Sequence, residues 1–114
     1  MGEKALKYLY DIKYSIDEIN SFFLNNKKTF ENYSNNILLK RAVERNLEII
    51  GEAMSKLLKT DPEISVHNAK RIIGLRNQII HGYDSVSDEN IWAIVISHLP
   101  KLKEEIDDLI EKNQ

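Results

Sequence analysis

The chain has 114 residues, no cysteine and a formal net charge of −2 at pH 7. This length suits one domain of a few long helices, so we expect a single domain over residues 1–114. The lack of cysteine excludes disulfides and a thiol nucleophile, and the slightly negative charge argues against a protein that coats long nucleic acids by neutralising many phosphates.

Residues 3–24 are predicted to form an amphipathic helix. Charged residues lie between the apolar ones, so we expect no membrane segment and a cytoplasmic protein. The Asn-rich stretch 25–36 is predicted to be a connection, in which Ser34 caps the next helix. The apolar residues recur at steps of three or four, as on one helix face: Leu6, Leu9, Ile12, Ile16, Ile19 and Phe23.

Residues 35–59 are predicted to form the second helix, which Asp61 and Pro62 end. Gly51 lies inside this helix, where glycine costs about 1 kcal/mol relative to alanine, so we expect a close helix crossing as compensation. The positions predicted to be buried are Leu38, Ala42, Ile49, Ala53 and Leu57.

A polar stripe on the second helix has two interpretations. Arg41, Arg45, Glu48 and Glu52 follow one another at steps of four, three and four. They either pair with one another on a solvated face or line a cleft between two copies of the chain.

Residues 67–80 are predicted to form the third helix, and the fourth begins after Ser87. Gly82 is predicted to stop the third helix, and Pro100 to kink the fourth, because a mid-helix proline removes a hydrogen bond. Four amphipathic helices without period-two alternation predict an all-α antiparallel bundle of the four-helix type. The third helix is predicted to bury Ile72, Leu75 and Ile79.

The segment RNQIIHGY, residues 76–83, carries side chains that suit phosphodiester chemistry. The imidazole of His81 can take a proton from a ribose 2′-hydroxyl or give one to the leaving 5′-oxygen, and Arg76 can brace phosphate oxygens. Together they could cleave RNA without a metal or cofactor, leaving a cyclic phosphate. Further cations that could concentrate positive potential at such a cleft are Lys70, Arg71, Arg41 and Arg45.

The spacing of Arg76 and His81 limits how one copy could work, because five residues on a regular helix place them about 140° apart. Either the helix ends near Ile80 and His81 turns back, or two chains pool their residues across a twofold axis. We favour both together. Asn77 and His81 share a face, so Asn77 is a candidate for orienting the imidazole or the phosphate.

The same residues also have a purely structural interpretation. The helix dipole favours a histidine in the last turn of any helix, and a nearby tyrosine such as Tyr83 often packs its ring and hydrogen-bonds its hydroxyl. His67 and His98 have no partners at metal-ligand spacing, so we expect structural or exposed histidines and no metal site.

The chain resembles the HEPN domains, whose defining motif is Arg and Asn followed after a short spacer by His. The extension to H-x-Y is similar to that of the HepT toxins in particular. Further blocks that resemble the family occur in the expected order and cover nearly the whole chain: RAVERNLEIIGEAMSKL, the Pro62 break, RIIGLRNQIIHGYDSV and NIWAIVISHLPKL.

The resemblance implies a helical homodimer whose two motifs line one cleft, with Arg76 and His81 as a catalytic pair that cuts RNA without metal. It also implies a toxin whose partner is an MntA-like minimal nucleotidyltransferase antitoxin, which adenylylates the tyrosine of H-x-Y. By position that acceptor is Tyr83. Many relatives carry a tryptophan before the Arg-Asn pair, whereas Val66 and His67 stand there in this chain, which bears on local packing or substrate preference.

Two further functions compete with the ribonuclease. One is a dimer that holds RNA or a nucleotide, or scaffolds the nucleotidyltransferase, without cleaving anything. The other is a purely structural dimer, which would be favoured if Arg76 and His81 were buried and paired within one subunit.

Overall fold

A computed structural model describes residues 2–82 and 86–114, and both ranges are helical with no β-strand in them. The all-α prediction is therefore confirmed. No helix within these ranges is long and apolar enough to span a bilayer. The elements are α1 (Glu3–Phe22), α2 (Phe30–Ser34), α3 (Ile37–Thr60), α4 (Ala69–His81), α5 (Asp88–Ala93), a π-helical turn (Ile94–His98) and α6 (Leu99–Lys112).

Helix α3 is the centre of the bundle, because it packs against α1, α2 and α4, while α6 packs against α1. Helix α6 runs antiparallel to α1, since Lys13 pairs with Asp107 at 2.8 Å and Lys103 pairs with Asp17 at 2.9 Å. The side chains with the least exposure include Leu9, Ile12, Ile16, Ile19, Leu47, Ile50, Met54, Leu57, Ile91, Leu99 and Ile106.

The start of α3 corrects two predictions. Asn36 is the cap, because its side chain accepts a hydrogen bond from Leu39 N, whereas Ser34 ends α2 and donates to Asp88 Oδ2 at 2.9 Å. Leu38 is 81% exposed and Leu39 is buried in its place. Residues 37–39 are all apolar, so the sequence does not decide which of them faces the core. The packing of α3 in the bundle buries Leu39 and Val43.

The remaining predicted positions of α3 are buried to different degrees. Ala53 and Leu57 are buried, while Ala42 and Ile49 are only half-buried at the edges of the packed surface. The third predicted helix is confirmed as α4, with Ile72, Leu75 and Ile79 buried.

The close helix crossing predicted at Gly51 is confirmed. A Cβ atom on Gly51 would lie 2.3 Å from Arg76 Cβ and 3.2 Å from the Ile72 carbonyl oxygen. These distances are shorter than ordinary van der Waals contact, so only glycine lets α4 approach α3 this closely.

The last helix is disturbed in the turn before Pro100. Ser87 caps α5 as predicted, by accepting a hydrogen bond from Asn90 N. The chain then widens into the π-helical turn, in which Leu99 N donates to the Ile94 carbonyl, and Pro100 lies in the first turn of α6. A proline has no N–H and its ring crowds the carbonyl four residues earlier, so a change of hydrogen-bond pattern at this place has a physical cause.

Candidate functional site

The motif lies on the last two turns of α4, and the helix continues through His81. Gly82 follows as the helix stop, as predicted, and its N–H donates to the Gln78 carbonyl at 2.9 Å. Because helical geometry extends to His81, this histidine does not turn back toward Arg76 within the subunit. Tyr83, the predicted acceptor of an adenylyl group, lies outside the described residues.

The guanidinium of Arg76 is held from two directions. Its Nη2 donates to Glu52 Oε2 of α3 at 2.5 Å, and its Nη1 donates to Asn77 Oδ1 at 2.9 Å. The Arg76 side chain is 27% exposed, and its Nε is buried without a hydrogen-bond partner among the described residues. The close packing of Arg76 Cβ against Gly51 and these two hydrogen bonds fix the direction in which the guanidinium points.

Arg76 opens into a cleft of about 310 Å³ between α1, α3 and α4. Ion pairs within single helices lie along its walls: Lys7 with Asp11 at 2.8 Å in α1, and Arg45 with Glu48 at 3.2 Å and Lys56 with Glu52 at 3.5 Å in α3. The residues that line the cleft are Lys7, Tyr8, Asp11, Arg45, Glu48, Ile49, Glu52, Ala53, Lys56, Arg76 and Ile80.

Glu52 is the electrostatic partner of Arg76 in this cleft. The nearby Arg76 guanidinium, against the opposing effect of desolvation, lowers the pKa of the Glu52 carboxyl below its ordinary value. The carboxylate therefore stays ionised at neutral pH. An anionic ligand that reaches Arg76 must either share the guanidinium with Glu52 or displace Glu52 toward Lys56.

His81 is exposed and does not line the cleft that contains Arg76. Its ring makes no hydrogen bond within the residues that the structure describes. The criterion for a purely structural dimer is thus met only in part, because Arg76 is paired within the subunit, whereas His81 is exposed and has no partner among residues 2–82 and 86–114. Asn77, the candidate for orienting the imidazole, contacts Arg76 in this subunit.

The other predicted cations are distributed over several surfaces. Arg45 lines the cleft, whereas Arg41 pairs with Glu44 at 3.0 Å and lies outside it. Lys70 and Arg71 are exposed on parts of α4 that face away from the cleft. The structure therefore brings one of these four cations to Arg76. Of the polar stripe, Arg45 and Glu48 pair with each other and Glu52 crosses to α4.

His67 and His98 lie together at the opposite end of α4. The backbone N of His67 donates to Glu105 Oε2 at 2.8 Å, and Asn68 Nδ2 lies 3.5 Å from His98 Nδ1. Burial, with the nearby charge of Arg71 as the next cause, lowers the pKa of His98 below its ordinary value. Val66, at the place where the resemblance led us to expect tryptophan, is buried against the core.

From the sequence, Glu52 was predicted to lie in a polar stripe on α3, but its bond to Arg76 was not predicted. The available signal was its neighbour Gly51, which already indicated that another helix crosses α3 at this point. The contributions of Lys7, Tyr8 and Asp11 to the cleft had no signal in the sequence, because they depend on how α1 packs on α3.

Comparison with known proteins agrees with the resemblance seen in the motif. The model of the family described as Ribonuclease HepT-like matches residues 12–109. Putative RNase MJ1216 of Methanocaldococcus jannaschii is 35% identical over 97% of this chain and 92% of its own length. Putative RNase MJ0125 of the same organism is 34% identical over 97% of this chain and 96% of its own length.

A bacterial relative, Putative RNase TTE0752 of Caldanaerobacter subterraneus, is 34% identical over 75% of this chain and 78% of its own length. No solved structure matches the chain. A family match that spans most of the chain, with relatives of nearly the same length, supports a ribonuclease built on this helical bundle. The chain belongs to the HepT-like ribonuclease family.

Proposed function

We propose that this chain is a metal-independent endoribonuclease toxin whose active site forms in the cleft of a homodimer. The observation that carries the proposal is the divergence of Arg76 and His81 within one subunit. Arg76 is drawn to the side of α4 that faces α3, while His81 is exposed about 140° around the same helix. A phosphate can contact both groups if Arg76 comes from one subunit and the imidazole is the partner subunit's His81.

The proposed reaction needs a base, an acid and a phosphate clamp. A neutral His81 imidazole takes the proton of the 2′-hydroxyl, whose oxygen attacks phosphorus, and the bond from phosphorus to the 5′-oxygen breaks. The same imidazole, now protonated, then gives this proton to the leaving 5′-oxygen, so one His81 serves first as base and then as acid. Arg76 stabilises the charge that develops on the phosphate oxygens. The products are a 2′,3′-cyclic phosphate and a 5′-hydroxyl.

The test compares purified wild-type protein with Arg76→Ala and His81→Ala on single-stranded RNA in the presence of a chelator. Each variant alone should lose cleavage. An equimolar mixture of the two variants, after subunit exchange, should recover about a quarter of the wild-type rate, because half of the dimers are mixed and each mixed dimer holds one intact pair of residues. No recovery in the mixture would place both residues in one subunit, and equal cleavage by all samples would indicate a contaminating nuclease.

The proposal includes silencing by a minimal nucleotidyltransferase antitoxin. The phenolic oxygen of Tyr83 would attack the α-phosphorus of ATP, pyrophosphate would leave, and the phenol proton would pass to solvent or a base. An anionic nucleotide two residues from His81 would repel an RNA phosphate and fill the cleft. Incubation with the nucleotidyltransferase and ATP should add the mass of adenylyl groups. A chain that gains no mass, or a gain that persists in Tyr83→Phe, would refute the switch.

A second candidate is a dimer that binds RNA or a nucleotide, or scaffolds the nucleotidyltransferase, without cleaving. The bond between Arg76 and Glu52 within one subunit favours it, because a guanidinium held by a carboxylate is less available to a phosphate. RNA binding by wild-type protein without any cleavage in the chelator assay would favour this candidate.

A further inference from the structure

A second groove lies on the other side of α4, between this helix and α5. It has a volume of about 350 Å³, near the lower end of the range typical of small-ligand sites. Leu75 and Ile94 are buried and form an apolar floor. Arg71 and Gln78 of α4 and Asn90 of α5 supply a polar rim.

The polar side chains of this groove are free to bind a ligand. Arg71, Gln78 and Asn90 are exposed, and their side chains make no hydrogen bond or ion pair within the residues that the structure describes. The contrast with the cleft of Arg76 is clear, because the cations there already have carboxylate partners. A cation without a carboxylate partner attracts an anion more strongly than a paired one.

Gly74 lines this groove. A Cβ atom on Gly74 would meet no atom within 4 Å, so packing does not explain a glycine in the middle of α4. A glycine in a helix interior costs about 1 kcal/mol relative to alanine. Gly51 is explained by its contact with Arg76, whereas Gly74 leaves bare backbone facing the groove, which is a feature of places where a ligand approaches closely.

The groove lies on the same side of α4 as His81. With 100° per residue, Arg71, Gly74, Gln78 and His81 fall within an arc of about 80° on the helix surface, and Arg76 lies outside this arc. The groove, and not the cleft that contains Arg76, is therefore the concave surface on the side of α4 that carries His81.

We propose that the groove between α4 and α5 binds the RNA nucleotide next to the scissile bond, with Arg71 contacting a phosphate and Gln78 and Asn90 reading the base edge. This inference rests on the proposed ribonuclease. Unstacked bases of single-stranded RNA offer donors and acceptors to side-chain amides, and their faces pack on apolar surface such as Leu75 and Ile94. The groove thus sets which sequence is cut, while Arg76 and His81 perform the cut.

The test uses RNA with a randomised segment and compares cleavage sites for wild-type protein, Gln78→Ala and Asn90→Ala. Wild-type protein should prefer one base near the cut, and each variant should reduce that preference, measured as the ratio of cleavage rates at preferred and disfavoured sequences, roughly tenfold. Asn20→Ala, which changes an exposed amide on α1, is the matched control and should keep the preference.

Two more variants test the groove by binding alone. Arg71→Ala should weaken binding of all RNA sequences and reduce the slope of log affinity against log salt by about 1, which Lys4→Ala on α1 should not do. Gly74→Gln should fill the groove and lower RNA affinity without lowering the melting temperature, since no packed atom lies in its way.

The outcomes separate the groove from the ribonuclease itself. If wild-type protein cuts RNA and the variants keep both its base preference and its affinity, the groove proposal is wrong and the ribonuclease stands. If wild-type protein binds RNA through the groove and does not cut it, the ribonuclease is wrong and the groove stands. A dimer that dissociates in Gly74→Gln would assign the groove to a contact between copies and overturn the proposal.

Discussion

The substitution Gly51→Ala should break the contact that sets the position of Arg76. The new Cβ would lie 2.3 Å from Arg76 Cβ, whereas carbon atoms pack at about 3.5 Å or more, so α3 and α4 must separate by about 1.2 Å. Both atoms are attached directly to helix backbone, and neither can rotate away. Overpacking of this kind costs about 1–3 kcal/mol, while alanine adds about 1 kcal/mol of helix propensity.

Gly74→Ala is the matched control for stability, because it makes the same substitution in the middle of a helix with open space around the new methyl group. The gain in helix propensity is shared by the two variants and cancels in their difference. The free energy of unfolding, measured with urea, should therefore be lower in Gly51→Ala than in Gly74→Ala by about 1–3 kcal/mol, and Gly74→Ala itself should exceed wild type.

The displacement of α4 should also lower the rate of RNA cleavage. A shift of about 1 Å in a positioned catalytic group costs about 100-fold in rate, so Gly51→Ala should lose RNA cleavage to about that extent under conditions where it is fully folded. Equal stability of the two alanine variants would refute the steric reasoning. Full cleavage by a folded Gly51→Ala protein would refute the claim that this crossing positions Arg76.

Three further predictions concern single ionisable groups. Glu52→Ala should lower kcat for RNA more than it raises KM, because Arg76 loses the bond that orients it. Glu52→Gln should retain more activity than Glu52→Ala, and Lys56→Ala serves as the control. A faster Glu52→Ala enzyme would show that Glu52 blocks Arg76 instead. His98 has a lowered pKa in the folded chain, so stability should fall as the pH drops below 6.5, and melting curves of His98→Gln should lack that part of the decline. Asp107 also has a lowered pKa, chiefly through its hydrogen bond from Lys13, so its contribution is present above the ordinary value of 3.8 and is lost as the pH falls through the lowered pKa. Acid titration of Asp107→Asn should show a smaller loss, with an effect at neutral pH of at most about 1 kcal/mol, because the pair is partly exposed.

Local chemistry in the sequence determined much of this protein. The long helices follow from apolar periodicity, whereas the short helix α2 lies in the stretch 25–36 that was predicted to be a connection. Ser87 and Gly82 mark ends that the structure confirms, because capping depends on residues within a few positions of each other. The motif residues 76–83 and the family follow from the sequence as well. Even the tight crossing at Gly51 was predicted, since a helical glycine is costly without a neighbour that needs its space.

Tertiary packing decided the rest, because it sets the rotation of each helix and the partners that each face meets. It selected Leu39 over Leu38 for the core, gave the cap of α3 to Asn36, and moved the disturbance of the last helix into the π-helical turn before Pro100. It also joined Arg76 to Glu52 across 24 residues of sequence and left His81 exposed on another side of α4. The sequence identified the residues that we propose carry the chemistry, and only the packing of α3 against α4 decided that one subunit keeps Arg76 and His81 apart.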